Sequence, residues 1–346
     1  MSEQNASQQP AQPQQSEQTQ QSERSAPTAP IVHEFVAAGP IDVNIQNLRG
    51  DIALRAEEGT AVRVELRPTG QAGREIADRM RVRFEQERLT VDAPAEEAQH
   101  LGDLVMGLGR GSGSWGDRIS RGLRTAVRSV GGLTGELDLV VVVPARSRVV
   151  VHDGSGAIAV AGALARIEAR AGAGDVVLER GAEEESRLAT GAGDIVVGPA
   201  AGDVHATTGS GDVTLAPVDG SAAVTTGTGD VVLAPVGGRI AVTTGTGDVD
   251  LAELGGEAAI TTGVGDIQVR RARSGHLHAR SGLGSVTVRV LPGTAARVDL
   301  ATGLGDRDVR LTPADGAGEA ERTLVIEGRT AKGDLRVLRA EPEPAS

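Results

Sequence analysis

An aspartate directly follows a Gly-x-Gly unit at Asp175, Asp194, Asp212, Asp230, Asp248 and Asp266, gives way to Ser285, and returns at Asp306. Carboxylates repeated at one place in a motif suit three kinds of chemistry. They chelate a hard cation such as calcium, they act as general acids or bases, or, with the glycine amides, they flank a phosphate. A fourth use needs no ligand: aspartate caps turns by accepting hydrogen bonds from nearby backbone N–H groups.

Context removes the phosphate reading. A dinucleotide or phosphate loop places G-x-G-x-x-G between a strand and a helix, but here the residues after the aspartate, such as Val231 and Leu233, alternate like a strand. Calcium-binding nonapeptide repeats place G-G-x-G-x-D at both corners of a turn. This chain has one aspartate per unit and "APVGG" at 234–238 on the opposite corner. The row Asp194, Asp212, Asp230, Asp248 and Asp266 is thus a weak calcium candidate, and each aspartate is expected to cap its own turn. Carboxylates stacked ~4.8 Å apart repel by about 1 kcal/mol per neighbouring pair in water. A cation, turn N–H groups or splayed side chains must offset that repulsion.

The elements that carry these corners are short strands. The first glycine of each unit falls at 154, 172, 191, 209, 227, 245, 263, 282 and 303, a spacing of 18 or 19 residues that stretches to 21 at the end. Apolar residues recur five positions earlier (Ile167, Val204, Ile240, Leu277, Val298) and three positions earlier (Leu188, Val224, Val242, Ile260, Leu300). Thr190, Thr208, Thr226, Thr244, Thr262, Ser281 and Thr302 stand one position earlier, while Glu168, Arg187, His205, His278 and Asp299 fall between. Period-two alternation on both sides of a glycine corner, repeated at this interval, predicts an all-β parallel β-solenoid (β-helix) of 18-residue coils. Residues 1–30 read as a disordered Gln-rich tail, 31–145 as an N-terminal β part capping the first coil, 146–340 as the repeat, and 341–346 as a tail. Within the last part, the irregular segment after residue 310 is expected to cap the final coil.

Composition narrows the function. The aromatics are Phe35, Phe84 and Trp115, and none falls in the repeat. Sugar clefts use aromatic platforms, so a polysaccharide-active β-helix enzyme is disfavoured, and a non-enzymatic protein without cofactors is expected. A net charge of -12 argues against nucleic-acid binding. The chain has no cysteine, which excludes disulfides and thiolate metal sites. The N-terminus lacks an apolar leader and no long apolar run occurs, so the expected location is cytoplasmic. A protein or envelope partner and a monomeric state are the default expectations.

Two stretches depart from the repeat. Residues 102–135 form a Gly-rich insertion, and on a helical wheel Trp115, Ile119, Leu123 and Val127 share one face while Arg118, Arg121, Arg124 and Arg128 lie opposite. A short amphipathic helix over 115–130 is expected there. It either covers an open face of the stack or lies on an anionic membrane surface, which would make the protein peripheral to a membrane. The second departure is basic: Arg270, Arg271, Arg273, His276, His278 and Arg280 crowd one coil. They read as solvated edge residues that discourage sheet pairing, with an anion patch as the alternative.

The segment "VVVPARSRVVVHDGSGAIAVAG" and the repeated "TTGxGDV", together with the early "GPIDVNIQNLRGDI", resemble the bacterial adhesin-like β-strand-repeat family, domain of unknown function 4097. The resemblance spans roughly residues 31–340. It implies a parallel β-solenoid, and it brings no catalytic residues with it.

Overall fold

Strict alternation dictates strands, and these gather into two large mixed sheets, one of fourteen strands and one of thirteen. The computed structural model describes residues 29–47, 49–93, 137–311 and 322–340. In each repeat unit the strand before the glycine corner enters the thirteen-stranded sheet and the strand after it enters the fourteen-stranded one, as Ala222–Thr228 and Val231–Leu233 do. Each strand pairs in parallel with its counterpart one unit on, so that Thr226 stands opposite Thr244 and Val231 opposite Val249. A third contact comes from the "APV" corner, where Ala200, Val218 and Val236 form successive parallel bridges.

The core is the seam between the sheets. Val224, Val231, Leu233, Ile240, Val242, Val249 and Leu251 are all buried, and each such side chain contributes roughly 1.5–3 kcal/mol on leaving water. β-branched and aliphatic residues suffice because each layer is thin and equivalent positions stack on one another. The contact between the two phenylalanines lies at the N-terminal end. There Phe35 of one sheet stacks on Phe84 of the other with ring centroids 5.4 Å apart.

From Arg166 to Ala272, order along the chain and order in the stack coincide. At the ends they do not. Asp42–Asn47 is inserted between Arg148–Ser155 and Arg88–Asp92, and Ile52–Glu57 between Ile158–Ala161 and Leu137–Pro144. Antiparallel pairs then finish this end: Ile31–Val36 with Ala61–Pro68, and Arg81–Glu85 with Arg88–Asp92. Such pairing interrupts the parallel edge that would otherwise template another chain.

The C-terminal end differs from the sequence expectation. Arg322–Lys332 lies between Gly275–Leu283 and Thr294–Leu304, and Leu335–Arg339 lies between Val286–Val290 and Arg307–Arg310. The segment expected as a terminal cap is an interior layer. The preceding unit is pushed to the outside, which leaves Val298, Leu300 and Thr302 only half-buried.

The helix also falls elsewhere than expected. Among the described residues it is Gly70–Arg79, packed against Ala61–Pro68 and Leu137–Pro144. Its buried positions Gly73, Ile76 and Ala77 fit one helical face, a signal of three residues among two glycines that is too thin to stand out in the sequence. The expected helix at 115–130, with Trp115, Arg118, Ile119, Arg121, Leu123, Arg124, Val127 and Arg128, lies outside the described residues, as does most of the N-terminal tail.

Candidate functional site

The aspartate row forms a backbone ladder. The Asp212 N–H donates to Asp194 Oδ1 at 2.8 Å, Asp230 to Asp212 at 2.8 Å, Asp248 to Asp230 at 2.9 Å and Asp266 to Asp248 at 2.8 Å. The series continues when the Ser285 N–H donates to Asp266 Oδ1 at 2.7 Å. Each carboxylate therefore caps the corner of the next unit rather than its own. The sequence expectation was right about turn N–H groups and wrong about whose turn. A hydrogen bond to a charged acceptor contributes roughly 1.5–3 kcal/mol at most, enough to exceed the repulsion between solvated neighbours.

A second ladder runs beside the first, inside the corner. The Thr208 hydroxyl donates to Gly193 O at 3.0 Å, Thr226 to Gly211 O at 3.2 Å, and Thr262 to Gly247 O at 3.1 Å. The inward threonine satisfies a carbonyl that the bend turns away from the sheet. The bend itself needs glycine. Gly229 has φ 148°, and a Cβ there would sit 2.0 Å from Gly211 O, so both the dihedral and the close approach exclude a side chain.

The same corner recurs without its first glycine in "TAKGD" at 330–334. Thr330 Oγ1 donates to Gly284 O at 2.9 Å, Gly333 has φ 145°, and Asp334 Oδ1 accepts from the Asp306 N–H at 3.0 Å. Thr, Gly and Asp were the available signal, and Ala331 in place of glycine concealed it.

At the N-terminal end the corner changes chemistry. Asp153 takes the place that threonine holds in other units, in register with Asn47 below and Ala171 above. It is 6% exposed. Neither of its oxygens has a hydrogen bond of good geometry, and the adjacent Gly154 N–H offsets only part of what burial and Asp51 impose. Burial, with the charges of Asp51 and Asp138 added, pushes its carboxyl up from 3.8 to about 7.

Five of the six residues of the basic cluster are matched by acids from neighbouring layers. Arg270 pairs with Asp250, its Nε 2.7 Å from Oδ1, and that bond holds the guanidinium pKa above its ordinary value. Arg271 and Arg273 both pair with Glu253. His276 Nε2 lies 3.3 Å from Glu327 Oε1, and His278 Nδ1 lies 3.1 Å from Glu327 Oε2. These pairings favour neither the anion patch nor a purely repulsive edge. Glu327 comes from the inserted layer, so no reading in chain order would have set it beside His278.

No family model matches the chain, and no curated protein matches it. Solved structures do. A candidate cell adhesion protein from Clostridium sporogenes aligns over 90% of this chain and 100% of its own, at 8% identity and TM-score 0.18. A candidate adhesin from Bacteroides fragilis covers 90% and 97% at 11% identity and TM-score 0.29. A candidate lipid-binding protein from Parabacteroides distasonis covers 90% and 97% at 12% identity and TM-score 0.32. The likeness is one of β-rich fold, and the narrower family assignment read from the repeat does not follow from it.

The cytoplasmic expectation is corrected here. Two of the matched structures are named for adhesion, and a cytoplasmic location is not carried forward. That default had rested on a missing leader and a missing membrane-spanning helix. Among the described residues no helix is long and apolar enough to cross a membrane, a fact that fixes no compartment.

Proposed function

We propose that the chain is a non-enzymatic parallel β-solenoid that works as a rigid binding or scaffolding module. The observation that carries this reading is the recurrence of the corner. At unit after unit the aspartate and threonine hold one layer to the next, so the side chains best suited to chemistry serve the stack. What varies is the outer row of the thirteen-stranded sheet. Read across the register it runs Glu168, Arg187, His205, Ala223, Ala241, Ala259, His278, Glu327, Asp299. A stiff strip with changing side chains suits recognition distributed along its length.

Removing whole coils tests both halves of the proposal. Deleting residues 229–246 takes out one period and restores the G-T-G-D corner at the junction. The product should unfold cooperatively and be shorter by about 4.8 Å in small-angle scattering, whereas deleting 229–237 should prevent folding. If both deletions behave alike, the solenoid reading fails. Co-sedimentation with crude peptidoglycan, repeated for single-coil deletions along the stack, addresses the role. Distributed recognition predicts a graded loss, and abolition by one deletion alone would point to a local site instead.

A further inference from the structure

We propose that His276, His278 and Glu327 form a binding site for a transition-metal ion of the zinc(II), nickel(II) or copper(II) class, independent of the scaffolding role. His276 and His278 are two residues apart on Gly275–Leu283, so both rings leave the same face of the strand. Their centroids are 4.2 Å apart. Glu327 stands on the adjoining strand directly opposite His278. One ligand atom from each of the three lies within 4.8 Å of the other two.

The spacing suits coordination. Two ligands each about 2.1 Å from a tetrahedral zinc lie roughly 3.4 Å from one another. The two histidine–carboxylate separations are 3.3 Å and 3.1 Å. An ion placed between them can therefore meet a ring nitrogen and a carboxylate oxygen at coordination distance with little movement of the donors. Imidazole nitrogen selects zinc, nickel and copper over calcium and magnesium, which take oxygen donors.

Both strands are paired on each side within the thirteen-stranded sheet, so the donors are held by a fixed backbone. All three side chains are partly exposed, which leaves a way in for the ion and a place for a water ligand. Asp299, next in register beyond Glu327 and exposed, adds a negative charge beside the site. Arg280 and Arg329, facing each other two residues further along the same strands, oppose it.

The site also explains what an ion would do. Glu327 belongs to the inserted C-terminal layer and the histidines to the layer on which it stacks, so a bound ion would cross-link the two and resist their separation.

The test uses the full chain without a polyhistidine tag, stripped with EDTA and titrated calorimetrically with zinc chloride. Wild type should bind one ion per chain and melt at a higher temperature with zinc but not with magnesium chloride. His278→Ala and Glu327→Gln should weaken binding by about tenfold or more, while His205→Ala, which alters another histidine beside a glutamate, should leave it unchanged. Should Glu327→Gln not fold, His276→Gln supplies the same comparison, with circular dichroism confirming structure. Absence of zinc binding in wild type, or binding undiminished in His278→Ala, overturns the proposal.

Discussion

Between Arg166 and Ala272 each repeat follows the last both in sequence and in space, whereas at both ends a segment from elsewhere in the chain is slotted between neighbours. In the middle, every corner from Thr190 to Thr262 solves the same problem in the same way: glycine makes the bend, threonine satisfies the carbonyl, aspartate caps the next amide. At the ends one component of that corner changes while the strand pairing persists. Asp153 replaces the threonine in one unit, and Ala331 replaces the first glycine in another. The parallel ladder tolerates these changes because its backbone hydrogen bonds do not depend on side-chain identity. The corner does depend on it.

Breaking the central corner should have the largest effect. Gly229→Ala forces a Cβ into Gly211 O and should cost about 4 kcal/mol or prevent folding. Gly59→Ala has a similar φ of 130° but open space around it, and should cost about 1–3 kcal/mol. Urea denaturation of the two variants separates steric conflict from dihedral strain, and equal losses would mean the close approach is relieved by movement.

The next effect lies at the N-terminal end and depends on pH. Asp153 is raised to about 7 in the folded chain from 3.8, so between those values the folded state holds a proton that the unfolded state has released. Its contribution to stability is complete below about pH 4, falls as pH rises, and is lost above about pH 7. Asp153→Thr restores the residue type of the central corner. It should stabilise the protein at pH 8 by up to about 4 kcal/mol and change little at pH 4. A difference in denaturation midpoint that does not vary with pH would contradict this account.

Smaller effects come from single rungs of the ladders. Thr226→Val keeps the shape but leaves Gly211 O without its donor, and should cost about 1–2 kcal/mol in urea. Asp230→Asn should be smaller still, within about 0.5 kcal/mol, because an amide oxygen can still accept from the Asp248 N–H while repulsion along the row falls. Calcium should leave the melting temperature of wild type and Asp230→Asn alike. A calcium-dependent rise in wild type alone would show that the row also holds ions.

Much of the stack was legible because its determinants are local. Alternation around Val224 and Thr226 and the interval between successive glycines fix strand length, burial and register, since a shift of one residue would turn every apolar side chain outward. The aspartate row was visible for the same reason, though not its acceptor role toward the next layer, which depends on where the adjoining corner lies. Glu327 was not legible. It lies 49 residues from His278, and only the insertion of Arg322–Lys332 beside Gly275–Leu283 brings them together. The helix at Gly70–Arg79 was similarly hidden, because packing against two strands decides it more than its own periodicity does.

By itself, then, the sequence determined the repeat: which residues face inward, where the chain bends, and which side chains line the corner. Tertiary structure alone decided the order of layers at the two ends, and with it the burial of Asp153 and the meeting of His276, His278 and Glu327. The physical reason is that parallel strands of similar pattern can pair with one another almost interchangeably. Local sequence sets what each layer is, and the competition among layers for neighbours sets where it goes.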